Sequence, residues 1–342
     1  MTRDADRHRI EALRRMTERR LRIPPSGVLA RDLREGCRYM LAGGGKRIRS
    51  TLVLLSCQTV GGTAGAAADA AAAVELMHNF TLVHDDVMDN ADERRGRPTV
   101  HRKWDLNSAL LVGDVLLGAA YERLMRTRTP SHRALVRVFT RGLLDVCDGQ
   151  ALDLEFARRT DVSVREYFRM IGKKTGCLIA TATELGGIIG GGTQAEIRAL
   201  RLFGLRLGRA FQIQDDLLDV VADPRDFGKT VGGDILEGKR TFLLLTARER
   251  TRGSDRSRIE QVLRSEAARR KGKDAAGRVT REGRGLVDAV REIYDRNGVL
   301  DDARRLVRRN TAEALRQLGS LRNNVARRSL ARLAEDLVTR AS

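Results

Sequence analysis

At 342 residues the chain is long enough to bury a substantial core in one domain or two. Its net charge of +19 comes from 64 basic and 45 acidic residues, but aromatics make up only 4% and no basic stretch is interleaved with them. That argues against a single-strand nucleic-acid platform and leaves a solvated basic surface. Cys37, Cys57, Cys147 and Cys177 show no CxxC spacing, which argues against a zinc site or disulfide framework and predicts reduced, buried thiols.

The opening MTRDADRHRIEALRR has no apolar signal core, and Asp69 interrupts the small-residue stretch from Ala64 to Val74. A cytoplasmic protein without a transmembrane segment is expected. Prolines are few, and Ile197, Leu200, Leu207, Phe211 and Leu218 recur at helical spacing, so the chain reads as all-α. Residues 1–25 predict an Arg-rich helix ended by Pro24 and Pro25, and a second helix runs to the Gly43-Gly44-Gly45 break. A loop then carries Lys46, Arg47 and Arg49. A long helix is predicted from about Ala64 to Met88, followed by the polar segment Ala91 to Pro98, and another from about Glu196 to Val221. Residues Arg264 to Arg284 read as a charged loop, after which amphipathic helices resume. No composition shift marks a linker, so residues 1–342 are expected to form one domain.

Each long helix ends in the same acidic pattern, DDVMD at Asp85, Asp86 and Asp89 and DDLLD at Asp215, Asp216 and Asp219. Positions i, i+1 and i+4 fall at about 0°, 100° and 40° around a helix, so each triplet is expected on one face. Carboxylates at a helix C-terminus oppose the macrodipole and call for a cation. Mg²⁺ prefers oxygen ligands and completes its shell with substrate phosphates, so the pair of clusters suggests a diphosphate ligand. His78, Thr81, Asp85 and Asp89 share one helical stripe, as do Gln212, Asp215 and Asp219. Cations recur beside the clusters: Lys46, Arg47 and Arg49, then Arg94 and Arg95, then Lys229 and Lys239. Lys and Arg contact phosphate directly, which suggests one anion site bridged by metal and another held by basic side chains.

The segments GGGKRIRS (Gly43 to Ser50), ELMHNFTLVHDDVMDNADERRGRPT (Glu75 to Thr99), GQALDLEF (Gly149 to Phe156), KTG (Lys174 to Gly176), FQIQDDLLD (Phe211 to Asp219) and GKTVGGD (Gly228 to Asp234) resemble the trans-isoprenyl diphosphate synthase, or polyprenyl synthetase, family in order. The resemblance covers residues 30–245 and implies helices around a deep central cavity, in a homodimer. It implies that Asp85, Asp89 and Asp215 ligate three Mg²⁺ ions on an allylic diphosphate (dimethylallyl, geranyl or farnesyl), with Asp86, Asp216 and Asp219 in support. Arg94, Lys174, Lys229 and Lys239 would hold that diphosphate, and Lys46, Arg49, His78 and Arg95 would hold isopentenyl diphosphate without metal. Thr175 and Gln212 would direct oxygen dipoles at the allylic carbocation.

In the resembling family, residues just before the first acidic cluster wall off the growing chain. Phe80 with the small Thr81 beside it is similar to the short-chain enzymes that make geranylgeranyl diphosphate, with farnesyl diphosphate or a longer product as alternatives. Phe80 as a plain core aromatic is an equal reading. Ser50 stands where the family commonly has proline. A class I terpene cyclase is a further alternative, disfavoured by the second intact triplet and by Lys46, Arg49 and His78. A non-enzymatic basic helical binding protein is another.

Overall fold

The chain is all-α, as its composition predicts. The computed structural model describes residues 3–23, 29–222, 231–264 and 280–339, which fall into two compact units. The first takes residues 1–144, 177–204 and 315–333, the second 145–176, 205–314 and 334–342. Most of these boundaries fall inside helices, which is why no linker composition marks them.

In the first unit, α1 (Arg3–Glu18), α2 (Arg31–Ala42), α3 (Ile48–Thr59), α4 (Ala64–Met88), α5 (Val100–Lys103) and α6 (Leu106–Met125) follow one another. Helix α4 has the predicted bounds. Thr63 caps it, accepting from the Ala66 amide, and its alanines from Ala70 to Ala73 are fully buried. A helix apolar all round belongs in a core, and small side chains let neighbours approach closely. Helices α3 and α6 pack along it. Asp69, the one charge in this stretch, is paired with Arg123 of α6 at 3.2 Å. Helix α7 (His132–Arg158) begins in this unit, and α9 (Cys177–Ile189) packs on α3 with almost no gap: a side chain at Gly186 would lie 2.3 Å from the Val53 carbonyl oxygen. Between α4 and α5 a short hairpin pairs β1 (Glu93–Arg94) with β2 (Arg97–Pro98), the one sheet among the described residues.

The second unit holds the end of α7, α8 (Val164–Ile171), a π-helical turn at Gly172–Gly176, and most of α10 (Gln194–Val221). It continues through α11 (Gly233–Leu236), α12 (Phe242–Arg250), α13 (Gly253–Arg264) and α14 (Arg281–Arg296) into α15 (Val299–Gly319). Helix α16 (Val325–Thr339) begins in the first unit and ends in the second. Ser163 and Glu166 form a reciprocal capping box that starts α8. Buried Arg240 ties three segments together, donating to the Arg159 carbonyl at 2.6 and 2.8 Å and to that of Leu263 at 3.0 Å.

Three sequence readings meet particular outcomes. The Arg264 to Arg284 stretch starts on the last residue of α13 and ends in the first turn of α14, so its ends are helical; residues 265–279 lie outside those described. Pro24 and Pro25 also lie outside, and α1 stops earlier, at Glu18. Cys37, Cys57 and Cys177 are buried and the four thiols form no disulfide, but Cys147 is exposed, because it lies on the outward stripe of α7 with Leu144 and Leu154. No helix among the described residues is long and apolar enough to cross a membrane.

Glycines in this fold separate by what surrounds them. A side chain at Gly204 of α10 would lie 2.6 Å from the Ala180 Cα, whereas nothing lies within 4 Å of one at Gly285 of α14. Gly204→Ala should lower the urea midpoint by the equivalent of about 1–3 kcal/mol. Gly285→Ala should raise it by about 0.5–1 kcal/mol through backbone entropy alone. Equal shifts in chemical denaturation would contradict this packing.

Candidate active site

In the first unit Asp85 and Asp86 lie in the last turn of α4 and Asp89 caps it. The triplet does not share one environment, contrary to the one-face expectation. Asp85 is half-exposed and Asp89 exposed, but Asp86 is 2% exposed. The step of about 100° between neighbours turns Asp86 inward. There Arg94 clamps it, Nε standing 2.7 and 2.9 Å from its two oxygens and Nη2 2.7 Å from one.

Arg94 arrives on the hairpin. Its turn residues, Arg95 and Gly96, both have positive φ, 56° and 70°, as tight hairpin turns of this hand require. An arginine held there costs about 1–2 kcal/mol that glycine would avoid, so a cation is kept at the tip despite strain. Arg95 donates to the carbonyls of Gly43 and Gly44, and a side chain at Gly45 would come within 3.0 Å of its guanidinium. The glycine triplet thus lets backbone close on Arg95. From α2, Tyr39 donates to the Pro98 carbonyl at 2.8 Å, with Arg97 3.9 Å and Lys103 4.1 Å from its ring centre.

Lys46 is exposed in the loop before α3, and the two arginines after it diverge. Arg47 is buried, bonded to Glu75 at 3.3 Å and to the Leu41 carbonyl at 3.1 Å, a structural role. Arg49 Nη1 lies 3.1 Å from His78 Nε2. Burial first, and then the Arg49 charge, hold His78 well below its ordinary pKa. The imidazole is therefore neutral and accepts from Arg49. Ser50 sits in the first helical turn, where proline is tolerated, and bonds its hydroxyl back to the Arg47 carbonyl. Thr81 donates to the His78 carbonyl at 2.8 Å, and Phe80, 8% exposed, sets its ring 4.7 Å from that of His84.

The second unit repeats the division. Asp215 is exposed, Asp219 half-buried and Asp216 3% exposed. Asp216 accepts from the Tyr167 hydroxyl at 2.6 Å and from Gln212 Nε2 at 2.9 Å. Gln212 Oε1 in turn accepts from the Thr175 hydroxyl at 2.8 Å. Thr175 lies in the π turn, whose backbone is gripped on two sides: a side chain at Gly149 would lie 2.3 Å from the Lys174 nitrogen, and one at Gly208 2.5 Å from the Gly176 Cα. The Asp234 amide donates to Asp219 at 3.0 Å. Lys174 is bonded to Asp153 at 2.5 Å and Lys239 to Asp234 at 3.4 Å. Lys229 lies outside the described residues.

Burial, and then the charge of Asp234, push the carboxyls of both Asp216 and Asp219 up to about 7. The same acid raises the Lys239 pKa. Burial raises the Tyr167 hydroxyl first, with the Asp216 charge adding to it. The cluster therefore holds more negative charge than its own donors offset. Among the described residues no three acidic, His or Cys side chains already converge into a metal cage. Sequence reasoning missed Tyr167, which lies in none of the motif segments, and also Asp153 and Asp234, although GQALDLEF and GKTVGGD contain them.

A polyprenyl synthetase model matches residues 30–278. The chain belongs to this family. It is 39% identical to the short chain isoprenyl diphosphate synthase of Methanothermobacter thermautotrophicus over 95% of each chain. It is 35% identical to the geranylfarnesyl diphosphate synthase of Natronomonas pharaonis over 89% of each. The geranylgeranyl pyrophosphate synthetase structure from Pyrococcus horikoshii superposes with a TM-score of 0.89 at 34% identity, covering 98% of this chain and 99% of that one. The polyprenyl synthetase fold is thus that of a prenyltransferase, and the chain is one.

The raised carboxyls have a direct consequence for stability. Their folded pKa of about 7 exceeds the unfolded value of about 3.9, so the folded state holds protons more tightly and metal-free stability falls as pH rises between those values. Asp219→Asn should flatten that fall, and at pH 8 without divalent cation its thermal midpoint should exceed that of the parent protein. A steeper fall in the variant would overturn the assignment.

Proposed function

We propose that the chain condenses isopentenyl diphosphate with an allylic diphosphate, giving geranylgeranyl diphosphate as its main product. The observation that carries this reading is the division inside each acidic triplet. Carboxylates that reach solvent (Asp85, Asp89, Asp215) stand beside ones locked by protein donors (Asp86, Asp216). We assign the outward three as magnesium ligands and Asp86, Asp216 and Asp219 as their support. Magnesium is the family's general cofactor, and the finer expectation is three ions. The donor set fits a hard cation, since every candidate ligand is a carboxylate and Asp219 carries unneutralised acidity. Mg²⁺ is commonly held by one or two carboxylates plus substrate phosphates. Bound magnesium offsets the negative charge on a departing diphosphate.

The protein's own groups supply the rest. Arg94, Lys174 and Lys239, with Lys229, hold the allylic diphosphate; the first three are already positioned by Asp86, Asp153 and Asp234. Lys46, Arg49, His78 and Arg95 hold isopentenyl diphosphate, with neutral His78 orienting Arg49 by accepting from it. Carbon–oxygen cleavage leaves an allylic cation that the isopentenyl double bond attacks, with Thr175 and Gln212 oxygens aimed at the positive charge. The proton lost afterwards goes to the released diphosphate. Exposed Leu106, Leu110 and Leu111 on α6 support a homodimer. A terpene cyclase would have no use for the Arg49–His78 pair.

The test is to incubate the protein with Mg²⁺, isopentenyl diphosphate and each of dimethylallyl, geranyl and farnesyl diphosphate, and to identify products by mass. Condensation is expected, and Asp85→Asn should lower turnover at least about 100-fold; absence of product with every primer sinks the reading. Product length rests on Phe80, whose near-complete burial suits a floor. Phe80→Ala should shift the main product to a longer chain, and an unchanged product distribution removes Phe80 from that role.

A further inference from the structure

Resting on the condensation reading, we propose that Tyr167 and Asp216 are positioning residues that set the polarity of the Thr175–Gln212 pair, and that Asp216 acts through Gln212 and not as a metal ligand.

Asp216 accepts at both of its oxygens, from the Tyr167 hydroxyl at one and from Gln212 at the other. Gln212 must therefore present its NH₂ to Asp216, at 2.9 Å, which turns Oε1 toward Thr175. Because Oε1 is an acceptor, the Thr175 hydroxyl, at 2.8 Å, must spend its hydrogen there. Thr175 is left with lone pairs alone for whatever else it meets. The reversed amide would set Oε1 against Asp216, oxygen against oxygen. Asp216 thus decides which end of the Gln212 dipole faces outward, and through it what Thr175 offers.

Tyr167 makes the arrangement hold. Its hydroxyl donates to the other Asp216 oxygen at 2.6 Å, and both residues are almost completely buried, at 1% and 3% exposure. One oxygen is fixed by a rigid ring from α8, the other by the helix that carries the pair. Every hydrogen in the chain from Tyr167 to Asp216, and from Thr175 through Gln212 to Asp216, points toward the buried carboxylate. Its far end is therefore a preoriented oxygen, the negative end of a dipole, suited to a developing cation. Exposed Asp215 on the same helix keeps the ligand role assigned above.

A double-mutant cycle tests this, using parent protein, Asp216→Asn, Gln212→Ala and the double variant. Asp216→Asn keeps the shape but lets the amide take either orientation. It should lower kcat about 10- to 100-fold, with KM for both diphosphates and the half-saturating Mg²⁺ concentration unchanged within about threefold. In the Gln212→Ala background it should cost less than about threefold more. Equal losses in both backgrounds, or a raised Mg²⁺ requirement, overturn the proposal. Tyr167→Phe, nearly isosteric, should lower kcat about tenfold in the same pattern and replaces Asp216→Asn in the cycle if that variant does not fold. A turnover-free readout separates this idea from the condensation reading. By calorimetry, the parent protein should prefer a diphosphate analogue bearing an ammonium nitrogen at the cationic carbon over its neutral isostere, and Asp216→Asn should lose about tenfold of that preference. If the parent shows the preference but no condensation, the relay stands and the reaction assignment falls; if it shows no preference, the relay falls whatever the turnover.

Discussion

A carboxylate at the C-terminal end of a helix stands against the macrodipole, and a buried one also loses its hydration. Helices α4 and α10 accept both costs, at Asp86 and at Asp216, and offset them differently. Asp86 receives a full positive charge from Arg94 in forked geometry. Asp216 receives only neutral donors, Tyr167 and Gln212, with Asp234 adding like charge. A guanidinium at 2.7 Å neutralises; a phenol and an amide orient without neutralising. The same five-residue pattern thus gives one cluster whose buried acid is closed by an internal salt bridge and another that retains unbalanced acidity.

The cations obey a matching constraint. With a net charge of +19, basic side chains far outnumber the few assigned to phosphate. Three of those assigned to phosphate are held by acids: Arg94 by Asp86, Lys174 by Asp153, Lys239 by Asp234. Pairing weakens each cation's pull on an anion, yet it removes most of the entropy that ordering a long side chain would cost on binding. Arg95 shows the other route, in which backbone strain at positive φ and contact with the glycine triplet fix the guanidinium without an acid. Both routes place charge before the ligand arrives.

Much of this was legible in the residues, for identifiable reasons. Local signals, small and apolar residues at helical spacing and the polar segment that follows Met88, bound α4 as observed and α10 to within two residues. The acidic triplets and the neighbouring cations were legible because helical spacing is local. What a triplet's three members each meet was not, since the donor that meets Asp86 arrives on a hairpin and one that meets Asp216 arrives from α8. Arg47 and Arg49 look equivalent in GGGKRIRS; burial against Glu75 separates them, a contact across 28 positions. Cys147 looks like the other cysteines until the outward stripe of α7 is known. In each case the deciding partner is distant in sequence, where no periodicity reaches.

The π turn at Gly172–Gly176 brings these constraints to one residue. A π turn inserts a residue into helical winding and re-aims the side chains after it, at a cost in hydrogen-bond geometry that packing must repay. Here Gly149 and Gly208 let the backbones of α7 and α10 close on it, within distances at which any side chain would collide. That contact fixes where the Thr175 oxygen lies. The chain of donors through Gln212 to Asp216 fixes which way its hydrogen points. Position comes from close-packed backbone and polarity from a buried acid, so neither would suffice alone: a well-placed hydroxyl free to rotate presents its hydrogen as readily as its lone pairs, and an oriented one displaced by an ångström no longer meets the charge it serves.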